Sequence, residues 1–142
     1  GSETALSAAI KRAYDRGEPV LAYYWEPTWV MGLLDMTKLE EPPYDEKLWN
    51  DEKLYACAIP SVRVLVVANT KFVEANPDIA AFLRNYTTTL EQNNKVLGFM
   101  FDEKADTQTA AVWFLKNYED VWTTWVPSDV AEKVSAALKE EK

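Results

Sequence analysis

The residues with the clearest chemical potential form one aromatic stretch, Tyr23-Tyr24-Trp25-Glu26-Pro27-Thr28-Trp29. The apolar run of residues 19–24 predicts a short buried strand, which Pro27 would end where the two tryptophans arrive. The face of an aromatic ring carries negative quadrupole density, so several rings together can hold a cation without N–H groups, such as a quaternary ammonium. Aromatic rings also pack well in hydrophobic cores, and the residue types alone favour packing. The stretch therefore has two interpretations, a cation site and a core cluster.

Other kinds of site chemistry find little support. Histidine is absent, which excludes an imidazole-activated nucleophile and the common zinc sites. The acidic residues are scattered along polar faces and tails, which argues against a carboxylate metal site or a catalytic pair. Cys57 is the only cysteine and, between two alanines, is predicted to be a small buried thiol. We therefore predict a protein that is not an enzyme and uses no metal or cofactor.

The composition indicates one folded domain with an acidic surface. The chain has 142 residues, of which 48% are hydrophobic and 27% charged. Its net charge of −8 repels phosphate backbones and anionic lipid, so nucleic acid and membrane surfaces are poor partners. No apolar run approaches the roughly 20 residues of a membrane helix, and the N-terminus lacks a signal-peptide pattern. These features leave the compartment open, because an upstream segment could precede the first helix.

The first part of the chain predicts alternating helices and strands. A helix that starts at Ser2 should end near Gly17, and a strand over residues 20–25 follows directly, a handover typical of α/β proteins. A short helix is expected over residues 28–34, with Pro27 at its first turn. Trp25 then precedes this helix, whereas Trp29 lies within its first turn.

The middle of the chain predicts a loop and a central strand. Two prolines mark residues 39–44 as a loop, and residues 45–53 continue as polar surface. A strand entry is expected over residues 55–59. The run of residues 62–68 is β-branched and almost wholly apolar, which predicts a central strand of a mixed sheet.

The remainder predicts a helical half. A helical turn is expected over residues 69–73, followed by a helix over residues 78–85. Two further helices should follow the caps at Thr89 and Asp106. A short helix or turn is expected over residues 120–125, and a last helix starts at Pro127. The spacing assigns three tryptophans of this half to the core: Trp113, Trp122 and Trp125.

Several of these motifs together resemble a known family. They are Gly17-Glu18-Pro19-Val20-Leu21, the aromatic stretch, Leu39-Glu40-Glu41-Pro42-Pro43-Tyr44, Cys57-Ala58-Ile59-Pro60-Ser61-Val62, Val67-Ala68-Asn69, Trp113-Phe114-Leu115 and residues 122–130. In this order they resemble the substrate-binding protein of glycine betaine and proline betaine ABC importers. The similarity covers nearly the whole chain, and the Tyr-Trp-Glu-Pro-Thr-Trp sequence is its most specific part.

The resemblance implies an α/β fold, part of a type-II periplasmic binding protein with two lobes and a short mixed sheet flanked by several helices. Members of the family are longer, so the chain would be a single C-terminal portion, with about residues 1–58 from one lobe and about residues 62–142 returning to the other. The implied function is capture of a quaternary-ammonium osmolyte outside the cytoplasmic membrane and its delivery to an ABC permease subunit. The exposed half-interface of such a portion would favour self-association.

The resemblance also implies the ligand-binding residues. Trp25 matches the tryptophan that packs against the trimethylammonium group, and Tyr24 and Trp29 flank it. A carboxylate at Glu26 would favour a pure cation such as choline over a betaine, but the alternation of side chains along a strand would direct Glu26 to solvent. The choice between glycine betaine, proline betaine, choline, carnitine and trimethylamine oxide stays open.

Two other classes of function compete with this one. A stand-alone aromatic-platform module, for instance one that binds carbohydrate, would use Trp25, Trp29 and Trp49 on an exposed face. A carboxylate-using enzyme is the third class, which the absence of histidine and of a paired-acid motif disfavours.

Overall fold

A computed structural model of the chain describes residues 2–51 and 56–140. The chain divides into two compact units, which we call the main unit (Gly1–Asp35 with Asn69–Lys142) and the small unit (Met36–Ala68). The aromatic stretch of residues 23–29 lies in the main unit.

All regular structure in the described ranges is helical. The main unit contains α1 (Glu3–Asp15), α2 (Trp29–Leu33), α4 (Thr70–Ala75), α5 (Pro77–Asn85), α6 (Leu90–Asp102), α7 (Thr107–Asn117), α8 (Glu119–Trp122), a 3-10 helix (Thr123–Trp125) and α9 (Ser128–Glu140), and the small unit contains α3 (Glu46–Trp49). The sequence predicted each of these helices except α3. The polar segment of residues 45–53 was expected as surface only.

Local signals set the ends of the helices. The Ser2 hydroxyl accepts a hydrogen bond from the Ala5 amide at 3.2 Å and begins α1. Gly17, at φ +65, lies just beyond its end, where a residue with a side chain would be strained. At α6, Thr89 and Gln92 form a reciprocal capping box. Such signals need no distant partner, which is why the sequence located these helices well.

The hydrophobic core of the main unit lies among its C-terminal helices. Phe114, Trp122, Trp125 and Ala131 are buried together, and the Phe114 and Trp125 rings stack with centroids 5.7 Å apart. The Trp122 indole donates a hydrogen bond to the Leu115 carbonyl at 2.8 Å, which satisfies its one polar group. Burial therefore confirms the predicted core role of Trp122 and Trp125. Trp113 is half-buried and stacks on another ring of the helical half, Phe99, at 4.8 Å.

The small unit has little regular structure. Asp45 caps the single turn of α3 by accepting hydrogen bonds from the Lys47 and Leu48 amides. Cys57 is buried, as predicted, and its thiol donates to the Asp45 carbonyl at 3.5 Å. Residues 39–44 form the predicted loop. The strand entry expected over residues 55–59 begins outside the described residues, and residues 56–59 form no strand.

The prediction of an α/β fold with a short mixed sheet is wrong for the described residues, which contain helices and no strand. Residues 20–25 and residues 62–68 carry the composition of strands but lack regular structure. In the second segment Val62, Val64 and Val67 are 88%, 97% and 84% exposed. A strand exists only when a neighbour pairs with its backbone, and within the described ranges residues 59–68 make no backbone hydrogen bonds. Apolar, β-branched composition alone therefore did not produce a sheet.

The described residues contain neither a membrane-spanning helix nor a cluster of metal ligands. None of their helices is both long enough and apolar enough to cross a lipid bilayer. Their cysteine and acidic side chains also form no group of three or more that could hold a metal ion.

Candidate functional site

Trp25 presents its ring at the surface of the main unit. It is 43% exposed, and its ring stacks on that of Tyr24 with centroids 4.7 Å apart and planes 20° apart. The predicted placement of Trp25 at an open surface, rather than inside the core, is what a ligand contact requires. Its strand context is absent, because residues 20–25 form no strand.

Tyr24 supports the Trp25 ring from the side of α1. It is half-buried, and its hydroxyl donates to the Glu3 carboxylate at 3.5 Å. Burial is the main cause that raises the pKa of Tyr24 above the ordinary 10.0, and the nearby Glu3 charge acts in the same direction. The phenol is therefore neutral at physiological pH and offers Trp25 an uncharged ring.

Trp29 has a different neighbour. It is the first residue of α2, is half-buried, and stacks on Phe101 of α6 with centroids 3.7 Å apart and planes 3° apart. The same two rings line a surface cavity of about 540 Å³ whose other wall comes from α1, including Glu3 and Lys11. The structure thus brings Tyr24 and Trp25 together as one ring pair and places Trp29 in a second pair, with Phe101.

The turn between the two ring pairs is held by Asn94, a residue that the sequence analysis did not single out. Asn94 is 6% exposed and lies in α6. Its side-chain oxygen accepts a hydrogen bond from the Thr28 amide at 2.8 Å, and its side-chain nitrogen donates to Glu26 Oε1 at 2.7 Å. A backbone N–H only donates and a carboxylate only accepts, so these two partners fix the orientation of the amide. Asn94 therefore clamps the Glu26-Pro27-Thr28 turn to α6.

A sequence signal for Asn94 did exist. Leu90, Asn94, Leu97 and Phe101 follow one another at helical spacing, so the asparagine interrupts an apolar stripe. A buried amide in such a stripe needs hydrogen-bond partners. The sequence could have marked Asn94 as partnered, but it could not have named Glu26 and Thr28 as the partners.

Two glycines allow α2 to lie directly against α6. A Cβ atom added to Gly32 would overlap the Asn94 carbonyl group, and one added to Gly98 would lie 3.1 Å from the Gly32 carbonyl carbon. The helices therefore touch backbone to backbone beside Asn94. Thr28, which caps α2 through its hydroxyl, is 6% exposed at the same contact. The aromatic stretch is thus anchored on one side by a close helix pair.

The site thus consists of the half-buried Tyr24 ring stacked on the exposed Trp25 ring, followed in the chain by a turn that Asn94 anchors to α6. Residues 1–117 match the sequence model of the family described as the substrate binding domain of ABC-type glycine betaine transport systems. The chain belongs to this family. It is accordingly a substrate-binding component of an ABC-type transport system, and the family resemblance predicted from the sequence motifs is confirmed. Members of this family are transport components rather than enzymes.

Proposed function

We propose that the protein captures a quaternary-ammonium solute such as glycine betaine, with the Trp25 ring covering the methylated nitrogen. The exposure of Trp25 is the observation that carries this proposal, because a ring must have an accessible face to receive a ligand. A cation over a tryptophan face gains about 2 kcal/mol or more once water is excluded. The stacked Tyr24 ring would extend the apolar surface around the cation.

Trp29 is the second flanking residue of the proposed site. One of its faces is covered by Phe101, and the ring borders the surface cavity beside α1. Its indole N–H could donate a hydrogen bond to the carboxylate of a betaine, whereas the methylated nitrogen offers no acceptor. Trp25 and Trp29 would then serve the two ends of a zwitterion.

The carbohydrate-platform alternative gains no support from these rings. That function needs several open ring faces in one plane, whereas Trp29 is stacked on Phe101 and Trp49 is half-buried in the small unit beside Tyr44. Family membership favours the quaternary-ammonium ligand as well.

Titration calorimetry tests the function on the full-length polypeptide that contains residues 1–142. We expect heat with glycine betaine, and at least about a thirtyfold loss of affinity in Trp25→Ala, the equivalent of the lost ring contact. Tyr86→Ala is the matched control, because Tyr86 is 42% exposed in the same unit and its ring contacts Phe82 and Trp125 rather than the ring pairs of the site. Heat with oligosaccharides alone, or equal affinities for wild type and Trp25→Ala, would contradict the proposal.

The wider setting follows from the family. We propose that the ligand is delivered to an ABC permease subunit and that the protein acts outside the cytoplasmic membrane. We also propose that the chain is a C-terminal portion of a two-lobed binding protein, with a boundary between residues 58 and 62. The exposed apolar side chains of residues 62–67 support this division, since they would be covered in a complete protein.

A further inference from the structure

We propose that Asn94 sets ligand selectivity by holding the Glu26 carboxylate away from the cation site at Trp25. This inference rests on the proposed function, because it concerns the same site. Glu26 directly follows Trp25 in the chain, so it is the acidic residue nearest in sequence to the ring that would hold the ligand. Where that carboxylate points therefore decides which ligands the site accepts.

The two neighbouring side chains have different partners. The Trp25 ring rests on Tyr24, whose hydroxyl reaches α1, whereas the Glu26 carboxylate is bound by Asn94 of α6. Asn94 is itself held rigidly, because it is buried and its oxygen accepts the Thr28 amide hydrogen bond. The Glu26 carboxylate is thus tied to a fixed point in the fold, although the rest of the residue is exposed.

Glu26 forms no ion pair within the part of the chain that the structure describes. The ion pairs among the described residues are Lys11 with Asp15, Arg16 with Glu18, and Lys133 with Asp129, and none includes Glu26. If the hydrogen bond to Asn94 were lost, a full negative charge would be free to turn toward the ligand. Near a protein surface, two unit charges a few ångströms apart interact by an energy worth about tenfold or more in affinity.

A free Glu26 charge would affect two related ligands differently. Glycine betaine and choline share a trimethylammonium group, which a nearby carboxylate attracts equally in both. Only glycine betaine adds a carboxylate, which the same charge repels. The ratio of the two dissociation constants therefore reports the position of the Glu26 charge, whereas a general loss of packing would weaken both ligands together.

One substitution breaks the contact between Asn94 and Glu26 and keeps the contact with Thr28. In Asn94→Asp, the carboxylate can still accept the Thr28 amide hydrogen bond but repels Glu26. In the double variant Glu26→Gln with Asn94→Asp, the new amide can donate to the new carboxylate. This swap keeps the local charge of wild type, since one carboxylate and one amide are present in both.

The experiment is calorimetric titration of the full-length polypeptide with glycine betaine and with choline, at about pH 8.5, well above the ordinary pKa of a carboxyl group. We expect Asn94→Asp to shift the ratio of dissociation constants about tenfold toward choline, and the swap to restore the wild-type ratio to within about threefold. Glu26→Gln alone should change the ratio less than about twofold, because the charge it removes is already held away. The aspartate of Glu26→Asp is too short to reach Asn94, and the change leaves α6 itself unaltered. We expect it to shift the ratio of dissociation constants toward choline, as Asn94→Asp does.

The outcomes separate the two proposals. If Trp25→Ala abolishes binding but Asn94→Asp and Glu26→Asp leave the ratio unchanged, the selectivity role of Asn94 is wrong and the cation site stands. A ratio that stays shifted in the swap would overturn the role too, because the swap has the local charge of wild type and no Glu26 carboxylate that could turn toward the ligand. If Trp25→Ala has no effect, or wild type binds neither ligand, the proposed function fails and the selectivity role fails with it.

Discussion

Asp106 shows how one exposed side chain makes the stability of this protein depend on pH. Its carboxylate accepts the Thr109 amide hydrogen bond at 2.8 Å and caps α7. That hydrogen bond is the main cause that lowers the pKa of Asp106 below the ordinary 3.8. The pKa of Asp106 is lower in the folded than in the unfolded state. The stabilisation is therefore complete above the pKa of the unfolded state and is lost as the pH falls through the pKa of the folded state.

We therefore predict that Asp106→Ala lowers the free energy of unfolding at neutral pH and that this deficit shrinks at a pH well below 3.8, as the wild-type cap loses its charge. Denaturant unfolding of both proteins at the two pH values measures the difference. Asp106→Asn is the control, since asparagine caps a helix as well as aspartate but does not titrate. A deficit of the same size at both pH values would rule out the charge as its source.

The sequence predicted individual residues well where one residue type has a strong local preference. Cys57 was placed in the interior because small thiols bury readily, and it is buried. The ligand-binding role of Trp25 came from the family resemblance, since its residue type alone favoured packing, and it stays a prediction. Asn94 was missed because its role depends on two groups that lie more than sixty positions away. The structure supplies such long-range partners, and the pattern of one segment does not.

At the scale of elements, the contact between α2 and α6 depends on a pair of glycines. A methyl group at Gly32 would overlap the Asn94 backbone carbonyl, and neither helix can yield without moving the clamp. We predict that Gly32→Ala lowers the free energy of unfolding by about 2 to 3 kcal/mol in denaturant unfolding, in spite of the better helix propensity of alanine.

Gly98→Ala provides the comparison for this prediction. Its new methyl group would lie 3.1 to 3.3 Å from Gly32 atoms, a tight contact that a shift of a few tenths of an ångström relieves. We expect its cost to be less than half that of Gly32→Ala, because the helix propensity gained is the same and the overlap is smaller. Equal costs for the two variants would show that the backbone contact at Asn94 is not the cause.

The elements also show where a sequence-based prediction of the fold succeeds and where it fails. The helices α6 and α7 were found from their caps, Thr89 and Asp106, which act within one turn of the chain. The strands at residues 20–25 and 62–68 were inferred from composition alone, which says nothing about the neighbour that a strand must pair with. The prediction of a sheet was therefore wrong for the described residues, although the predicted family was confirmed.

At the scale of the whole molecule, the most unusual feature is the apolar surface of the small unit. Val62, Val64, Leu65, Val66 and Val67 are each at least half exposed, and they are consecutive except for Arg63. Single exposed apolar residues are ordinary, but a continuous run of them marks a surface that another apolar surface covers. In the proposed two-lobed protein this cover would come from the rest of the same polypeptide.

This feature predicts that residues 1–142, expressed alone, associate with one another. Apolar surface without a cover is buried between copies, and each fully buried valine contributes about 1.5 kcal/mol or more to that contact. Sedimentation velocity should show the average mass rising with protein concentration, and Val64→Lys should return the sample to monomers. Leu39→Lys is the matched control, because Leu39 is 64% exposed in the same unit but lies outside the run. A monomeric wild type over the whole concentration range, or equal effects of the two lysines, would mean that residues 62–67 do not drive association.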